Sequence, residues 1–549
     1  DMRIVIIGAV AAGTSAAAKA RRNNETAEIV IYEKDNYISY SGCGMPYYLG
    51  DEVVDLQKLT PRNPDFFKTK YNVDVLIRHE VMSISPTEKK ITVKNLESGA
   101  VIVDYYDKLV IATGASATVP PILGADREHV FVLRSINDML RIKDFINAKK
   151  ISKVAIVGTG FIGLEVCENL ARLGISVTLI EKLPQVTPGL DRDMAIHVLH
   201  HLKEKGIRVI LGASIESIEA ETINLSNGEK VDASMVLLST GVRPNTALAK
   251  AAGISLGTAN AIQVNSKMQT NINDIYACGD CIEHFHLITN KPVYRPLGST
   301  ANKTGRIAGD QITGGSLEFR GILGTGIFRV FEMTVAMTGL SEKEAIDEGF
   351  DPVICHNIKP HKPEYLNGKE MVIKGVADRK TGRLLGAQIV GKEGVDKRID
   401  VFATAITFQA KVEDLFHIDL AYAPPFSTTK DPVMYTGMIL DNIIHRNRPV
   451  ITKTELQKLQ KQHPETHIMD ARAVAQFKKD HVENAENMMP ENLRKKAAKL
   501  DPEKPYIVYC NKGTTGNAAQ NILLNNGFKK VFNLSGGFKQ YKAEQEDSL

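Results

Sequence analysis

The feature that most constrains this chain is one supersecondary unit written twice. Residues 4–7 read as a short apolar strand, 8–13 as a glycine-rich turn, 14–22 as an alanine-rich helix, and 29–32 as a second strand ending at Glu33. From residue 154 the order returns: strand 154–157, turn 158–163, helix 164–173 and strand 177–180, ending at Glu181. Short apolar runs alternating with helices build parallel sheets with crossover helices. A strand that turns tightly into a helix aims the helix's free N–H groups at an anion. An acid at the end of the next strand accepts a ribose hydroxyl. Two such units predict an α/β chain that binds two nucleotides.

The second turn, Gly158-Thr159-Gly160-Phe161-Ile162-Gly163, carries every glycine of G-x-G-x-x-G. These serve a tight turn, close approach of backbone to pyrophosphate, and close helix–strand packing. Glu181 would repel a 2′-phosphate, which favours NADH, while neighbouring Lys182 keeps NADPH open. The first turn, Gly8-Ala9-Val10-Ala11-Ala12-Gly13, has Val10 at the middle glycine. Glu33, followed by Lys34, restores the nucleotide reading there.

At about 150 residues per domain, 549 residues suggest three or four domains. Lys+Arg 68 against Asp+Glu 64 leaves a net charge of +4, too little to point to nucleic acid. Six cysteines, at 43, 167, 278, 281, 355 and 510, do not make a disulfide framework and read as reduced thiols of a cytoplasmic protein. The chain moves straight into a strand without a basic-then-apolar leader and holds no window of 18 apolar residues, so neither secretion nor a membrane span is expected.

The segment Thr270-Asn271-Ile272-Asn273-Asp274-Ile275-Tyr276-Ala277-Cys278-Gly279-Asp280 resembles a T-x6-aromatic-A-x-G-D stretch of two-dinucleotide flavoproteins, in which the Asp binds the flavin's ribityl chain. The resemblance extends to Ala112-Thr113-Gly114. It implies FAD in the first unit, held by Gly8, Val10, Ala11, Ala12, Gly13, Glu33, Lys34, Ala112, Thr113, Gly114, Gly279 and Asp280. It implies NAD(P)H in the second, held by Gly158, Gly160, Phe161, Ile162, Gly163 and Glu181. The order of units is that of the pyridine nucleotide–disulfide oxidoreductases. The expected fold class is an α/β two-dinucleotide (FAD and NAD) Rossmann-like flavoprotein with an α+β interface domain and a C-terminal α/β rhodanese domain. The expected boundaries are 1–115 and 245–325 for FAD, 116–244 for NAD(P)H, 326–447 for a dimerisation domain, a linker at 448–455 and a last domain at 456–549. Within them, 328–338 and 370–376 read as strands and 401–408 as a helix.

Cys43 lies in Tyr40-Ser41-Gly42-Cys43-Gly44-Met45-Pro46, where this superfamily normally carries a C-x4-C dithiol. Residues 38 and 48 are Ile38 and Tyr48, so Cys43 has no local resolving thiol. A lone thiolate beside a flavin can still pass electrons as a sulfenic acid or a mixed disulfide. Oxidases and peroxidases of the single-cysteine kind carry a His in the first turn; here Ala11 stands there. Coenzyme A-disulfide reductases carry G-x-V-A-A-G, as this chain does. Residues 2–445 therefore resemble a coenzyme A-disulfide reductase. That resemblance implies coenzyme A contacts at Ser15, Lys19, Arg22, Ser39, Gly42, Asn302 and Lys430. It also implies tyrosines that support the thiol chemistry from the partner subunit, matching Tyr365 and Tyr422, with Glu364 where a tyrosine often stands, and a homodimer.

Cys278 and Cys281 have C-x-x-C spacing but overlap the flavin segment and read as packed cysteines. No second Cys/His pair has finger spacing, so no metal is expected. His284 and His286 read as surface or packing residues, and Cys167 and Cys355 as structural. Residues 456–549 resemble a rhodanese domain on Ile468-Met469-Asp470-Ala471-Arg472, Tyr509-Cys510-Asn511-Lys512-Gly513-Thr514-Thr515-Gly516 and Leu534-Ser535-Gly536-Gly537-Phe538. Cys510 sits between a strand at 507–509 and a helix at 517–524, the place for a persulfide-carrying thiolate. Thr515 stands where an Arg is frequent, and Lys512 is expected to replace that charge in part.

The expected enzyme is an FAD-dependent NAD(P)H reductase of coenzyme A disulfide, persulfide or polysulfide, acting through Cys43, with Cys510 carrying sulfane sulfur to or from that site. Two alternatives are an NADH oxidase or peroxidase using a Cys43 sulfenic acid, and a flavin-bearing redox sensor or sulfur-carrier scaffold.

Overall fold

The structure is a computed structural model and describes residues 1–546. The chain forms two compact units, Asp1–Pro184 with Ile207–Gly324, and Gln185–Gly206 with the chain from Thr325 on.

The first unit holds two parallel five-stranded sheets. One orders Ile275–Ala277, Lys108–Ile111, Arg3–Ile7, Glu28–Tyr32 and Asp74–Leu76. The other orders Arg208–Leu211, Ser176–Glu181, Lys153–Val157, Met235–Leu238 and Val130–Phe131. Central strands of such sheets are apolar on both faces, because helices cover both. Ile4, Val5 and Ile6 are accordingly fully buried, each contributing about 1.5–3 kcal/mol. The two repeats share one register. Ile7 pairs with Tyr32 and Val157 with Ile180, so Gly8 faces Glu33 and Gly158 faces Glu181. The helices start earlier than the sequence suggests, at Ala11–Asn23 and Phe161–Arg172, because the turn's last residues are already helical.

The second unit contains an antiparallel sheet ordered Gly326–Val330, Met333–Gly339, Leu384–Gly391, Glu370–Asp378 and Pro352–Pro360. Residues 328–338, expected as one strand, are a hairpin turning at Phe331, whose φ is 53°. The helix expected at 401–408 runs Val395–Thr407, starting after Gly394 in the left-handed region. The rest of the unit is a parallel sheet ordered Val450–Ile451, Lys530–Leu534, Pro505–Tyr509, His467–Asp470 and Ala485–Asn487. Cys510 follows its central strand, at the carboxyl edge where parallel sheets place their sites.

Among the described residues no helix is long and apolar enough to cross a membrane.

Candidate active sites

The two nucleotide turns are built alike. The Gly8 N–H donates to Tyr32 O at 2.9 Å and the Gly158 N–H to Ile180 O at 2.8 Å. Their φ angles are +108° and +97°, and a Cβ at either would be driven into a carbonyl oxygen, of Ala112 or of Ser239. The strand-end acids brace these turns. Glu33 accepts the Ala9 N–H at 3.0 Å and the Asp35 N–H at 2.9 Å. Glu181 accepts the Thr159 hydroxyl at 2.7 Å and the Leu183 N–H at 3.0 Å. Burial pushes the Glu33 carboxyl up.

The residues fit the dinucleotides this fold family implies. Gly160 faces open space, where a Cβ would meet nothing within 4 Å, as a backbone approached by pyrophosphate requires. Gly8→Ala is expected to lower flavin affinity by about tenfold or more through strain at that φ. Flavin absorbance per mole of protein after gel filtration measures it.

Asp280 is held by Arg134, whose guanidinium donates to Oδ2 at 2.7 Å and to Ala115 O at 3.0 Å. Nothing in the sequence pattern singled out Arg134. Thr113 is tied to Asn245, its hydroxyl donating to the Asn245 carbonyl at 2.6 Å.

Cys43 is exposed in a short 3₁₀ turn, Gly42–Gly44, before the helix Met45–Leu49. Partial burial pushes its thiol up, and the Glu165 and Asp280 carboxylates add to that, while Arg134 opposes them. Glu165 lies on the Phe161–Arg172 helix and accepts the Tyr47 hydroxyl at 2.8 Å. Within this unit, then, Cys43 stands among groups from the flavin segment and from the helix that opens at the second nucleotide turn. Ser39, with φ 47°, donates its N–H to Ala9 O at 2.9 Å and so ties the cysteine loop to the first turn.

Two of the expected coenzyme A contacts meet directly: the Ser15 hydroxyl donates to Asn302 Oδ1 at 2.8 Å. Ser15 is on the Ala11–Asn23 helix and Asn302 on Gly298–Ile312, which packs along it. Lys19 ion-pairs with Asp310 at 3.8 Å, and Arg22 donates to the Tyr71 hydroxyl at 3.1 Å. Lys19, Arg306, Asp310 and Asn23 line a polar cavity of about 510 Å³. Arg306 is a second cation there that the sequence reading missed; it lies one helical turn beyond Asn302.

In the second unit, Tyr365 is 75% exposed and Tyr422 50%, so neither is a core tyrosine. Lys430 is exposed, its ammonium 6.0 Å from the Tyr435 ring centroid. Phe408, Phe416 and Phe426 are exposed as well.

The Cys510 loop leads into a helix at Thr514–Asn525, closer to the cysteine than expected. The Gly513 N–H donates to Cys510 Sγ at 3.0 Å. Phe538 N–H donates to Cys510 O at 2.8 Å and Lys539 N–H to Asn511 O at 3.0 Å. This close approach explains Gly537, where a Cβ would run into the Cys510–Asn511 backbone. Lys512 does not supply the free charge expected of it, because it ion-pairs with Glu370, which also holds Lys539 at 2.6 Å.

Cys167, Cys278, Cys281 and Cys355 are free and fully buried, and burial pushes each thiol up. Cys355 lies inside the strand Pro352–Pro360. His284 and His286 are buried packing residues.

The chain matches the pyridine nucleotide-disulphide oxidoreductase family over residues 2–295, that family's dimerisation domain over 327–432, and the rhodanese-like domain over 452–544. It is similar to the crystal structure of reduced Bacillus anthracis CoADR-RHD, with a TM-score of 0.97, 35% identity and coverage of 100% of this chain and 99% of that one. A NAD-dependent persulfide reductase from A. fulgidus superposes with a TM-score of 0.91 at 35% identity, covering 98% of this chain and 100% of that one. The Pyrococcus furiosus NAD(P)H sulfur oxidoreductase (CoA-dependent) is 36% identical over 450 residues, 80% of this chain and 99% of that protein. With its paired nucleotide turns, a Cys43 that has no thiol at the dithiol spacing and its Cys510 loop between strand and helix, the chain belongs to the pyridine nucleotide-disulphide oxidoreductase family and carries a C-terminal rhodanese-like domain.

Proposed function

We propose that this chain is an FAD-dependent NAD(P)H reductase of coenzyme A disulfide and persulfide, working as a cytoplasmic homodimer, with Cys510 carrying sulfane sulfur. The observation that carries the reading is Cys43, exposed, without a thiol at the dithiol spacing, and set among Arg134, Asp280 and Glu165. The relatives' sulfur chemistry supports the substrate class. Six free thiols support a reducing compartment. The exposed Phe408, Phe416, Tyr422 and Phe426 support a self-association surface. The proposed boundaries are 1–115 with 245–325, 116–244, 326–447 and 456–549.

When bound, FAD supplies two-electron chemistry between a nicotinamide and sulfur. The chain's residues do the rest. Ser15, Asn302, Lys19 and Arg22, with Ser39 and Gly42 flanking the cysteine and Lys430 further on, are the proposed coenzyme A contacts, and Tyr365 and Tyr422 of the partner subunit are proposed to support the thiol chemistry. The Cys43 thiolate attacks the sulfur attached to coenzyme A. A Cys43–coenzyme A disulfide forms, the bond to the outer sulfur breaks, and hydrosulfide leaves with its electron pair. Two electrons from NAD(P)H then cleave that disulfide and return the Cys43 thiolate and coenzyme A thiol.

Anaerobic turnover tests this. One NADH is expected to yield one sulfide and one coenzyme A thiol from the persulfide. Peroxide-dependent NADH consumption faster than persulfide-dependent consumption would instead establish the oxidase or peroxidase reading.

A further inference from the structure

A sulfur anion on Cys510 gains from N–H dipoles and from a nearby cation. The loop supplies the first through Gly513 and lacks the second. Residue 515 is Thr, and Lys512 is committed to Glu370.

A cation arrives from the neighbouring sheet. Lys359 lies on the strand Pro352–Pro360, far from the loop in sequence, and its ammonium donates to Thr514 Oγ1 at 2.8 Å, four residues past the cysteine. Its ammonium sits 4.3 Å over the Tyr435 ring. Among the described residues no carboxylate pairs with Lys359. The charged and titratable groups facing it are Cys510, Lys512 and Lys430. Burial and the two lysines push the Lys359 pKa down, while a Cys510 thiolate would raise it. A half-buried ammonium beside two like charges is costly until an anion joins it.

We propose that Lys359 is a positioning residue of the Cys510 site, a cation lent by the dimerisation domain that steadies negative charge on the sulfur and favours anionic sulfane donors of the thiosulfate class. The inference rests on Cys510 as the sulfur carrier. In the step it serves, the Cys510 thiolate attacks the outer sulfur of thiosulfate. A bond from Cys510 to that sulfur forms, the bond to the sulfonate sulfur breaks, and sulfite leaves with the electron pair. No proton moves and no further oxidant is needed. Charge is conserved, and Lys359 faces it on both sides of the transfer.

The test uses the full-length holoenzyme and two alkylating reagents of similar size, anionic iodoacetate and neutral iodoacetamide, with peptide mass spectrometry reading residue 510. Lys359→Met is expected to lower the iodoacetate-to-iodoacetamide rate ratio by about tenfold. Lys359→Arg is expected to keep the ratio within about twofold of the parent. An unchanged ratio in Lys359→Met, or an equal loss in Lys359→Met and Lys359→Arg, overturns the inference. A different result separates it from the reading beneath it. If Cys510→Ser moves sulfur from thiosulfate to cyanide as fast as the parent, Cys510 is not the carrier, and both ideas fall.

Discussion

Replacing Cys43 by Ser is expected to lower NADH turnover with coenzyme A persulfide or disulfide by on the order of a thousandfold or more, because the group that bonds to the substrate sulfur is gone. Flavin content and NADH turnover with ferricyanide, which needs no thiol, are expected to stay at the parent level. That split locates the loss at sulfur rather than at cofactor binding. Retention of persulfide turnover in Cys43→Ser would refute the mechanism. A companion pH experiment follows from the electrostatics. Partial burial, then Glu165, hold the Cys43 thiol above its ordinary value, so thiolate accumulates only as the solution turns alkaline. In protein without coenzyme A, alkylation at Cys43 is expected to accelerate at higher pH than a free cysteine's, and Glu165→Gln to move that profile down. Arg134→Met is expected to move it up.

Asp193→Ala is expected to destabilise the second unit by about 3–5 kcal/mol, because it strips a buried ammonium of a main partner. Lys374, 1% exposed, ion-pairs with Asp193 at 2.9 Å, Asp191 at 3.1 Å and Glu342 at 2.7 Å. Asp193 also bonds His356 Nε2 at 2.7 Å, while the Ser535 hydroxyl contacts His356 Nδ1 at 2.8 Å. Gln540 donates to the Asp193 carbonyl at 2.9 Å and contacts His197 Nε2 at 2.7 Å. One network thus joins the helix Arg192–Glu204, the antiparallel sheet and the rhodanese-like domain. Burial lowers the His197 pKa to about 4, so that ring is neutral at pH 7. Burial alone would raise the Asp193 carboxyl, but Lys374 and His356 hold it well below the usual carboxylate range. A lowered native value means this stabilisation is complete above the unfolded carboxyl's range, about pH 4, and is lost as pH falls below it. Urea unfolding followed by far-ultraviolet circular dichroism is expected to show an acid-side decline in the parent that Asp193→Asn lacks. Equal midpoints for parent and Asp193→Ala at pH 7 would refute the role given to Asp193.

The nucleotide units were legible because their constraints are local. Gly8 and Gly158 need positive φ and no Cβ, and register alone then sets Glu33 and Glu181 opposite them. Cys510 was legible for the same reason, as a strand end followed by a helix start. Residues 328–338 misled because a tight hairpin between two apolar β-rich segments has no Gly-, Pro- or Asn-rich signal; Phe331 takes the left-handed position. Lys512 misled because a charge in a motif does not announce its partner, and Glu370 is 142 positions away.

The sequence by itself determined the motifs this chain carries: two nucleotide-type turns with their strand-end acids, one cysteine without a thiol at the dithiol spacing, and one rhodanese-like cysteine loop, each specified within a single contiguous stretch. Only the tertiary structure decided which charges those groups meet. Arg134 at Asp280, Glu165 near Cys43, Ser15 on Asn302 across 287 positions, and Lys359 at the Cys510 loop are products of packing. Electrostatic effects depend on distance and burial, and neither is encoded by a residue's place in a motif.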